Sequence, residues 1–226
     1  MRLTRRGRDV EAVARSIKKR IAAGHLAPGH RLVEEELARA AGVSRSVVRQ
    51  ALRRLADEKL VDIEAYRGAS VRWLSRADVN DVFDILVALG RAAVSLAAAR
   101  IEERDNRKIA RDSLAATRRF RRRSRALGDV GAYIAENRRF HEVIRRLSGN
   151  RALAEIERQV EAQLDRLWVH GLAVGNDRDR WTRGHEEILL AILDGDVRAA
   201  ESAMKSYARA IRGQVLSLPD AAFRPP

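Results

Sequence analysis

The sequence predicts a mainly α fold, in which an N-terminal winged helix-turn-helix domain precedes an all-α antiparallel bundle of about six helices. A helix, a tight turn and a second helix are predicted within residues 37–55, and a β-hairpin within residues 60–71. Beyond residue 79 the apolar residues recur at helical spacing. We therefore expect a flexible basic arm at residues 1–8, the winged domain at 9–74, the helical domain at 75–218 and a flexible tail at 219–226.

The helix-turn-helix prediction depends on the segment LARAAGVSRSVVRQALRRL. Gly42 stands where the chain must turn, because glycine adopts a positive φ at little cost. Ser44 is placed to cap the second helix with its hydroxyl group. Apolar residues then recur at helical spacing and predict a buried face made of Val47, Val48, Ala51, Leu52 and Leu55.

The opposite face of the second helix is polar and basic. Its arginines are successive i, i+4 neighbours, so three guanidinium groups project from one side of the helix. The N-terminal end of such a helix usually meets base edges in duplex DNA. We therefore expect a DNA-contacting face, with a solvated surface helix as the alternative. Its polar positions are Ser44, Arg45, Ser46, Arg49, Gln50 and Arg53.

Residues 60–71 predict the hairpin that would form the wing. Apolar and polar residues alternate from Leu60 to Ile63, and a glycine-containing turn follows before the chain returns. Arg67 and Gly68 stand at the tip of this turn, where they can reach phosphates or the minor groove. A simple surface turn is the alternative. A helix starting at Asp9 is expected to complete the small domain.

Composition limits the classes of function. The 226 residues include 45 Lys and Arg against 31 acidic residues, for a net charge of +14, and 18 of the basic residues lie within the first 76. This bias favours a polyanionic partner such as nucleic acid. There is no cysteine, which excludes disulfides, thiolate catalysis and cysteine-based zinc sites. We expect no signal peptide, no membrane span and no membrane partner, and a cytoplasmic protein.

The remainder of the chain predicts a helical bundle. Ser75 and Asp78 form a capping box that opens the first helix, which carries apolar residues at alternating spacings of four and three. Glycine directly before an N-capping residue marks several later boundaries. Six helices are expected to start near Asp78, Asp105, Asp129, Asn150, Asp177 and Asp196.

Four polar residues fall on the apolar faces of three of these helices. Asn137 and His141 lie one turn apart, His185 shares a face with isoleucine and leucine residues, and Tyr207 lies among apolar neighbours. A buried polar group needs a partner, so their convergence predicts a polar cavity that holds water or a ligand. Each histidine taken alone is more simply a hydrogen-bonded core residue.

The stretch APGHRLVEEELARAAGVSRSVVRQALRRLADEKLV, followed by YRGASV, resembles the winged-helix DNA-binding domain of GntR-family transcriptional regulators. The resemblance covers about residues 10–71. It implies that Arg45, Ser46 and Arg49 contact the operator directly, and that Arg67 and Gly68 contact it from the wing.

The segments NRRFHEVIRRLSGN and HEEILLAILDGDVRAAESAM resemble the FCD effector-binding domain that follows GntR-type DNA-binding domains. Many members bind a divalent metal through one Asp and three His, and the metal helps to hold a small carboxylate effector. This likeness implies His141 and His185 as metal ligands, whereas Asn137 and Tyr207 stand at the other two ligand positions and are weak donors. No cofactor is therefore required, and a divalent metal of the Zn, Ni or Mn type is the one candidate.

The leading hypothesis is a transcriptional regulator, acting as a repressor and as a homodimer on a palindromic operator in double-stranded DNA. A small metabolite, an organic acid by the family likeness, would bind at Asn137, His141, His185 and Tyr207 and change operator affinity. One alternative is a helical metal-dependent hydrolase fused to a DNA-binding module, with Glu142 or Glu186 as the base. Another is an architectural DNA-binding protein without an effector.

Overall fold

The computed structural model of the protein describes residues 5–124, 130–164, 167 and 178–223. Over these residues the chain forms nine α-helices, one short 3-10 helix at Asp220–Ala222 and a three-stranded sheet. The N-terminal elements are α1 (Arg5–Ala22), β1 (Arg31–Leu32), α2 (Glu34–Ala41), α3 (Arg45–Asp57), β2 (Val61–Glu64) and β3 (Gly68–Val71). The C-terminal helices are α4 (Arg76–Ala99), α5 (Asn106–Ser124), α6 (Val130–Ser148), α7 (Arg151–Glu161), α8 (Arg178–Leu193) and α9 (Val197–Leu216).

The N-terminal elements form a winged helix around their own hydrophobic core. The sheet is antiparallel in the order β1-β3-β2, and its register pairs Leu32 and Ile63 with opposite sides of Ala69. Helices α1 and α3 pack together, and the apolar face of α3 is buried as predicted. The predicted fold class is therefore confirmed, with β1 as a third strand that fixes the base of the wing.

The turn between α2 and α3 has the predicted glycine geometry but a different serine contact. Gly42 has a φ of 64° and ends α2, with its N–H directed at the carbonyl groups of Ala38 and Arg39. Ser44 occupies the N-cap position of α3, but its hydroxyl lies 2.9 Å from the Ser46 hydroxyl and caps no backbone N–H. The expected serine cap is therefore wrong, because the two hydroxyl groups pair with each other.

Both expected flexible ends are structured where the structure describes them. Helix α1 starts at Arg5, four residues before the predicted Asp9, and residues 1–4 lie outside the described part. At the other end Phe223 is buried, with the Arg76 guanidinium 4.2 Å from the centre of its ring. Arg76 also donates hydrogen bonds to the Leu218 carbonyl and the Asp220 carboxylate. The expected tail is thus packed as far as residue 223, and residues 224–226 lie outside the described part.

The helix boundaries of the bundle follow the predicted glycine and N-cap pattern where the structure describes them. The capping box of Ser75 and Asp78 is formed at the start of α4. Asn150 accepts a hydrogen bond from the N–H of Leu153, and Asp196 caps α9 in the same way. The predicted Gly128–Asp129 boundary and most of the connection before α8 lie outside the described residues.

Helix α4 is the central element of the bundle and packs against α6, α7, α8 and α9. By length and composition alone it could cross a membrane, although Asp81, Asp84 and Arg91 interrupt its apolar residues. Its composition is explained by packing, because a central helix is apolar on several sides. Its buried residues are Val79, Val82, Phe83, Gly90, Ala93, Val94, Ala97 and Ala98.

Candidate DNA-binding surface and internal cavity

Helix α3 presents its basic face to solvent. Val48, Ala51 and Leu55 are completely buried on one side, and this contact fixes the rotation of the helix. On the other side the Arg45 and Arg49 side chains remain 64% and 53% exposed. The guanidinium groups are therefore free of the protein core and accessible to a macromolecule.

A cleft of about 590 Å³ runs between α3, the start of α2 and the sheet. Arg45, Arg49 and Arg53 line it from α3, and Gly68 lines it from the wing. Ser44, Ser46, Gln50 and Arg67 are exposed but are not part of its lining. The structure thus brings half of the predicted DNA-contacting residues into one concave surface.

Arg31 also lines this cleft, and the sequence analysis did not select it. It lies in β1, directly opposite Ser70 of β3. The pairing of these two strands places an exposed guanidinium group beside the recognition helix. A two-residue strand carries too little periodicity to be predicted, so no local pattern indicated a role for this residue.

Glu34 holds the arginines of the cleft in place. Arg49 donates from Nε to Glu34 Oε1 at 2.9 Å and from Nη2 to Oε2 at 2.8 Å, and Arg45 Nη2 is 3.9 Å from the same carboxylate. The hydrogen bond from Arg49, with the charges of Arg45 and Arg53, lowers the pKa of Glu34 below its ordinary value. A bidentate pair of this kind fixes the orientation of the guanidinium plane.

The wing ends in an exposed turn. Tyr66 has a φ of 65° and is fully exposed, and Gly68 has a φ of 86°. Arg67 is 84% exposed and lies 3.3 Å from the Glu64 carboxylate, which is a weak surface pair. The tip therefore presents a solvent-exposed guanidinium group outside the cleft lining.

A second polar cluster lies inside the bundle, centred on Tyr207. Its hydroxyl donates to Asn137 Oδ1 at 2.9 Å and lies 3.1 Å from His185 Nε2. Because the hydroxyl proton goes to Asn137, His185 Nε2 carries a proton and donates to the hydroxyl oxygen. Gly184 makes room for the ring, since a Cβ there would lie 2.6 Å from Tyr207 Cδ2. These contacts fix Tyr207 in one position.

His185 is buried and electrically neutral. Its ring stacks on Phe140 with centroids 3.8 Å apart and planes within 8°. Burial holds its pKa well below the ordinary value, and the charges of His141 and Arg139 act in the same direction. Its Nδ1 atom has no hydrogen-bond partner within the described part of the chain.

His185→Gln is expected to change how stability depends on pH. Below about pH 6.5 the His185 side chain of the wild type binds a proton in the unfolded state but not in the folded state. The free energy of unfolding of the wild type therefore falls by ~1.4 kcal/mol for each pH unit below this value, relative to the variant. Urea unfolding between pH 4.5 and 7.5 measures this difference. The exposed His25→Gln is the control, and parallel curves for wild type and His185→Gln would show that the buried imidazole does not titrate this way.

A cavity of about 40 Å³ opens beside Tyr207. Of the four predicted effector residues, His141 and Tyr207 line it, whereas Asn137 and His185 lie behind Tyr207 and brace it. The lining residues are Phe83, Leu86, Gly90, His141, Glu157, Glu161, Met204, Tyr207, Ala208 and Ile211.

Two carboxylates of this lining, Glu157 and Glu161, were missed by the sequence analysis. Glu157 is almost completely buried, and burial raises its pKa above the ordinary value although His141 and Arg145 act in the opposite direction. Leu153, Ala154 and Val160 stand four and three residues before it and three after it, which places Glu157 on an apolar helix face. That face was the signal that could have identified it.

The residues expected to hold a metal do not fit a divalent ion. Tyr207 keeps its proton, because burial raises its pKa above the ordinary value, and its hydroxyl and His185 Nε2 are already bonded to each other. Asn137 supplies only a neutral amide oxygen, and this oxygen already accepts a hydrogen bond from the Tyr207 hydroxyl. Among the described residues there is no group of three or more His, Cys, Asp or Glu arranged to hold a metal. The set therefore serves as a hydrogen-bonded support for the cavity wall.

The two carboxylates considered as hydrolytic bases are engaged elsewhere. Glu186 accepts hydrogen bonds from Arg118 and Arg121, both at 2.6 Å. Glu142 is bound by Arg158 and Arg145, which lower its pKa below the ordinary value. Neither carboxylate faces the cavity as an unpaired base.

An exposed arginine helix beside a wing defines the class of helix-turn-helix DNA-binding proteins. Comparisons with known proteins agree with this class. The sequence model described as "Bacterial regulatory proteins, gntR family" matches residues 9–71, and the model of the FCD domain matches residues 81–210. The chain belongs to the GntR family of bacterial regulatory proteins, in the group that carries an FCD domain. It is a DNA-binding transcriptional regulator, and the family is not one of enzymes.

Individual relatives support the same assignment. An HTH-type transcriptional regulator in an unstable DNA locus of Streptomyces ambofaciens is 31% identical over 186 residues, which cover 82% of this chain and 76% of that protein. The gluconate operon transcriptional repressor of Bacillus licheniformis is 35% identical over 77 residues, which cover 34% of this chain and 31% of that protein. The structure of E. coli McbR/YncC shares the fold with a TM-score of 0.73 at 22% identity, over 91% of this chain and 97% of that chain.

Proposed function

We propose that this regulator binds a palindromic operator as a homodimer in the cytoplasm, and that a small metabolite in the cavity of the bundle changes its affinity for that operator. The observation that carries the proposal is the cleft lined by Arg31, Arg45, Arg49 and Arg53. Arginine is the residue that most often reads guanine in the major groove, through two hydrogen bonds. The wing supports this arrangement, because Arg67 is positioned to contact phosphate beside the recognition helix.

In this proposal Glu34 orders Arg49 before DNA binds. In the absence of DNA its carboxylate occupies the donor fork of Arg49 and holds the guanidinium plane inside the cleft. The arginine is therefore ordered before binding, which lowers the entropy lost when it meets a base. A base edge then replaces Glu34, or shares the arginine with it.

The cavity is connected to the winged domain through α4. Phe83, Leu86 and Gly90 of this helix line the cavity, and its first turn is joined to the winged domain by a 3.3 Å ion pair between Arg72 and Asp78. A ligand that favours one position of α4 would shift the position or freedom of the winged helix. The factor by which the ligand changes operator affinity cannot exceed the ratio of the ligand's affinities for the two conformations of the protein.

The homodimer is supported by an unpaired apolar face on α4. Ile85 is 49% exposed, and Ala88, Ala92 and Ala99 are exposed at intervals of three, four and seven residues along the same helix. Adjacent apolar positions at this spacing are typical of helix packing seams. Two copies that meet through this face would place two winged helices for two half-sites.

Ile85→Glu is expected to weaken the dimer by at least ~10-fold, because a carboxylate would be buried within the seam. Ile156→Glu is a matched control, since Ile156 is 48% exposed on a different helix, α7. Sedimentation velocity across a concentration series measures both variants. Equal dissociation constants for wild type and Ile85→Glu would place the dimer contact elsewhere.

We propose repression as the direction of control, because the Bacillus licheniformis relative is named as a repressor of its operon. A reporter gene placed behind the DNA upstream of this gene tests the direction. Expression is expected to fall when the regulator is supplied and to recover when the effector is added. Higher expression with the regulator present would reverse the assignment.

The central experiment compares binding of the full chain to its own upstream DNA and to random duplex at one fixed salt concentration. A regulator is expected to prefer its operator by ~10³-fold or more. An architectural DNA-binding protein would bind both with similar affinity and with the same dependence on salt. Similar affinities would therefore replace the proposed function with that alternative.

A further inference from the structure

The cavity wall is acidic where a carboxylate-binding site would be basic. Glu157 and Glu161 line it, and Glu157 is only 3% exposed. No arginine or lysine belongs to the cavity lining formed by the described residues. Leu86, on the opposite helix, contributes an apolar side chain to this wall. An incoming organic acid would therefore meet two carboxylates and no arginine or lysine, with His141 as the one basic side chain in the lining formed by the described residues.

Glu157 also leaves an acceptor unused. Its Oε2 atom is buried and has no hydrogen-bond partner within the described residues. Arg145 Nη1 is 3.7 Å from this oxygen, beyond hydrogen-bond distance, and donates instead to Glu161 at 2.9 Å. A buried carboxylate oxygen without a donor is costly, so a ligand that supplies a donor here would be stabilised.

The charges around the cavity do not balance. The connected cluster contains four carboxylates, Glu142, Glu155, Glu157 and Glu161, and two guanidinium groups, Arg145 and Arg158. Carboxylates therefore outnumber guanidinium groups in this described cluster, and His141 is the other basic group beside the cavity. A positive charge placed at Glu157 would reduce the excess of carboxylates in a setting where water screens poorly.

The rest of the lining suits the apolar part of a small cation. Phe83, Met204 and Ile211 provide hydrophobic contacts, and aromatic rings also attract positive charge. The volume of about 40 Å³ admits roughly three or four water-sized groups. Within the described residues no triad of metal-binding side chains is arranged for a metal ion, so this geometry favours an organic cation.

We propose that the cavity binds a small organic amine as its ammonium ion, with the ammonium donating to Glu157 and the carbon chain packed against Leu86 and Met204. This inference rests on the proposed effector role of the cavity and names the chemical class of its ligand. It differs from the organic acid that the family resemblance implies, because Glu157 and Glu161 stand where such a ligand would need a cation.

The test is a thermal-shift and calorimetric titration of the full-length protein at neutral pH. The probes are n-propylamine and ethanolamine, each compared with a carboxylate of similar size, propionate and glycolate. The two amines are expected to raise the melting temperature with increasing concentration, because a ligand of the folded state stabilises it. The carboxylates are expected to leave it unchanged. A shift with carboxylates alone, or with none of the four probes, would overturn the proposal.

Glu157→Gln is expected to weaken amine binding by about 10- to 150-fold, because it removes the charge of the acceptor and keeps its size. Glu155→Gln is the matched control, since Glu155 is exposed on the same helix. Leu86→Arg provides an independent test, in which amine binding is lost and propionate binding appears. Unchanged amine binding in Glu157→Gln would place the ligand elsewhere and reject the assignment.

Operator binding measured with and without each probe separates this inference from the proposed function. If an amine binds the wild type but leaves operator affinity unchanged, the cavity binds amines as proposed but does not regulate DNA binding. If propionate or glycolate changes operator affinity and the amines do not, a small ligand regulates DNA binding as proposed, but its class is a carboxylate and not an amine.

Discussion

Arg145→Ala is expected to lower the free energy of unfolding by about 3–5 kcal/mol, because it leaves buried carboxylates without their cation. The Arg145 side chain is 5% exposed and lies among Glu142, Glu157 and Glu161. The Glu157 side chain is almost fully buried, and the Glu161 side chain is largely buried. Urea unfolding followed by circular dichroism measures the loss.

Arg146→Ala is the matched control, since Arg146 is the next residue of α6 and is exposed. It is expected to change stability by less than ~0.5 kcal/mol. Combining Arg145→Met with Glu157→Leu and Glu161→Leu should recover much of the lost stability, because apolar residues of similar volume can replace a buried ion cluster. If Arg145→Ala and Arg146→Ala were equally stable, the buried cluster would contribute nothing to folding.

The double substitution Arg45→Ala and Arg49→Ala is expected to weaken operator binding by about 2 kcal/mol or more, which is roughly 30-fold or more. Each arginine lines the cleft and can contact one base pair through two hydrogen bonds. Both pair with Glu34, so their separate effects are not expected to add. Fluorescence anisotropy with operator and with random duplex measures the change in both affinity and preference.

The double substitution Arg15→Ala and Lys19→Ala removes the same charge from an exposed face of α1 outside the cleft lining. It is expected to reduce binding to operator and to random DNA alike, and only slightly. If the Arg45 and Arg49 variant loses operator and random DNA binding by the same factor, these arginines contact phosphate and do not read sequence.

Much of the fold could be predicted from local patterns. The rotation of α3 follows from Val48, Ala51 and Leu55, because apolar residues at helical spacing must face a core. The glycine turn at Gly42 and the capping box at Ser75 follow from backbone chemistry that acts over a few residues. Contacts between distant segments were missed, as with the packing of Phe223 under Arg76.

The cavity was predicted only in part. Asn137, His185 and Tyr207 do meet, because each polar residue stood alone on an apolar helix face and had to find a partner inside the bundle. The sequence could not indicate that two of them lie behind the cavity wall. It also could not show that Glu157 and Glu161 join the wall from a fourth helix.

Local patterns were sufficient to predict the two kinds of domain, most helix boundaries and the arginine face of α3, because each of these depends on residue spacing along one helix or turn. The folded chain was needed to show which side chains share a cavity, and that Glu157 Oε2 has no hydrogen-bond donor there among the described residues. These features depend on how α4, α6, α7 and α9 pack against one another, over distances that no local pattern encodes.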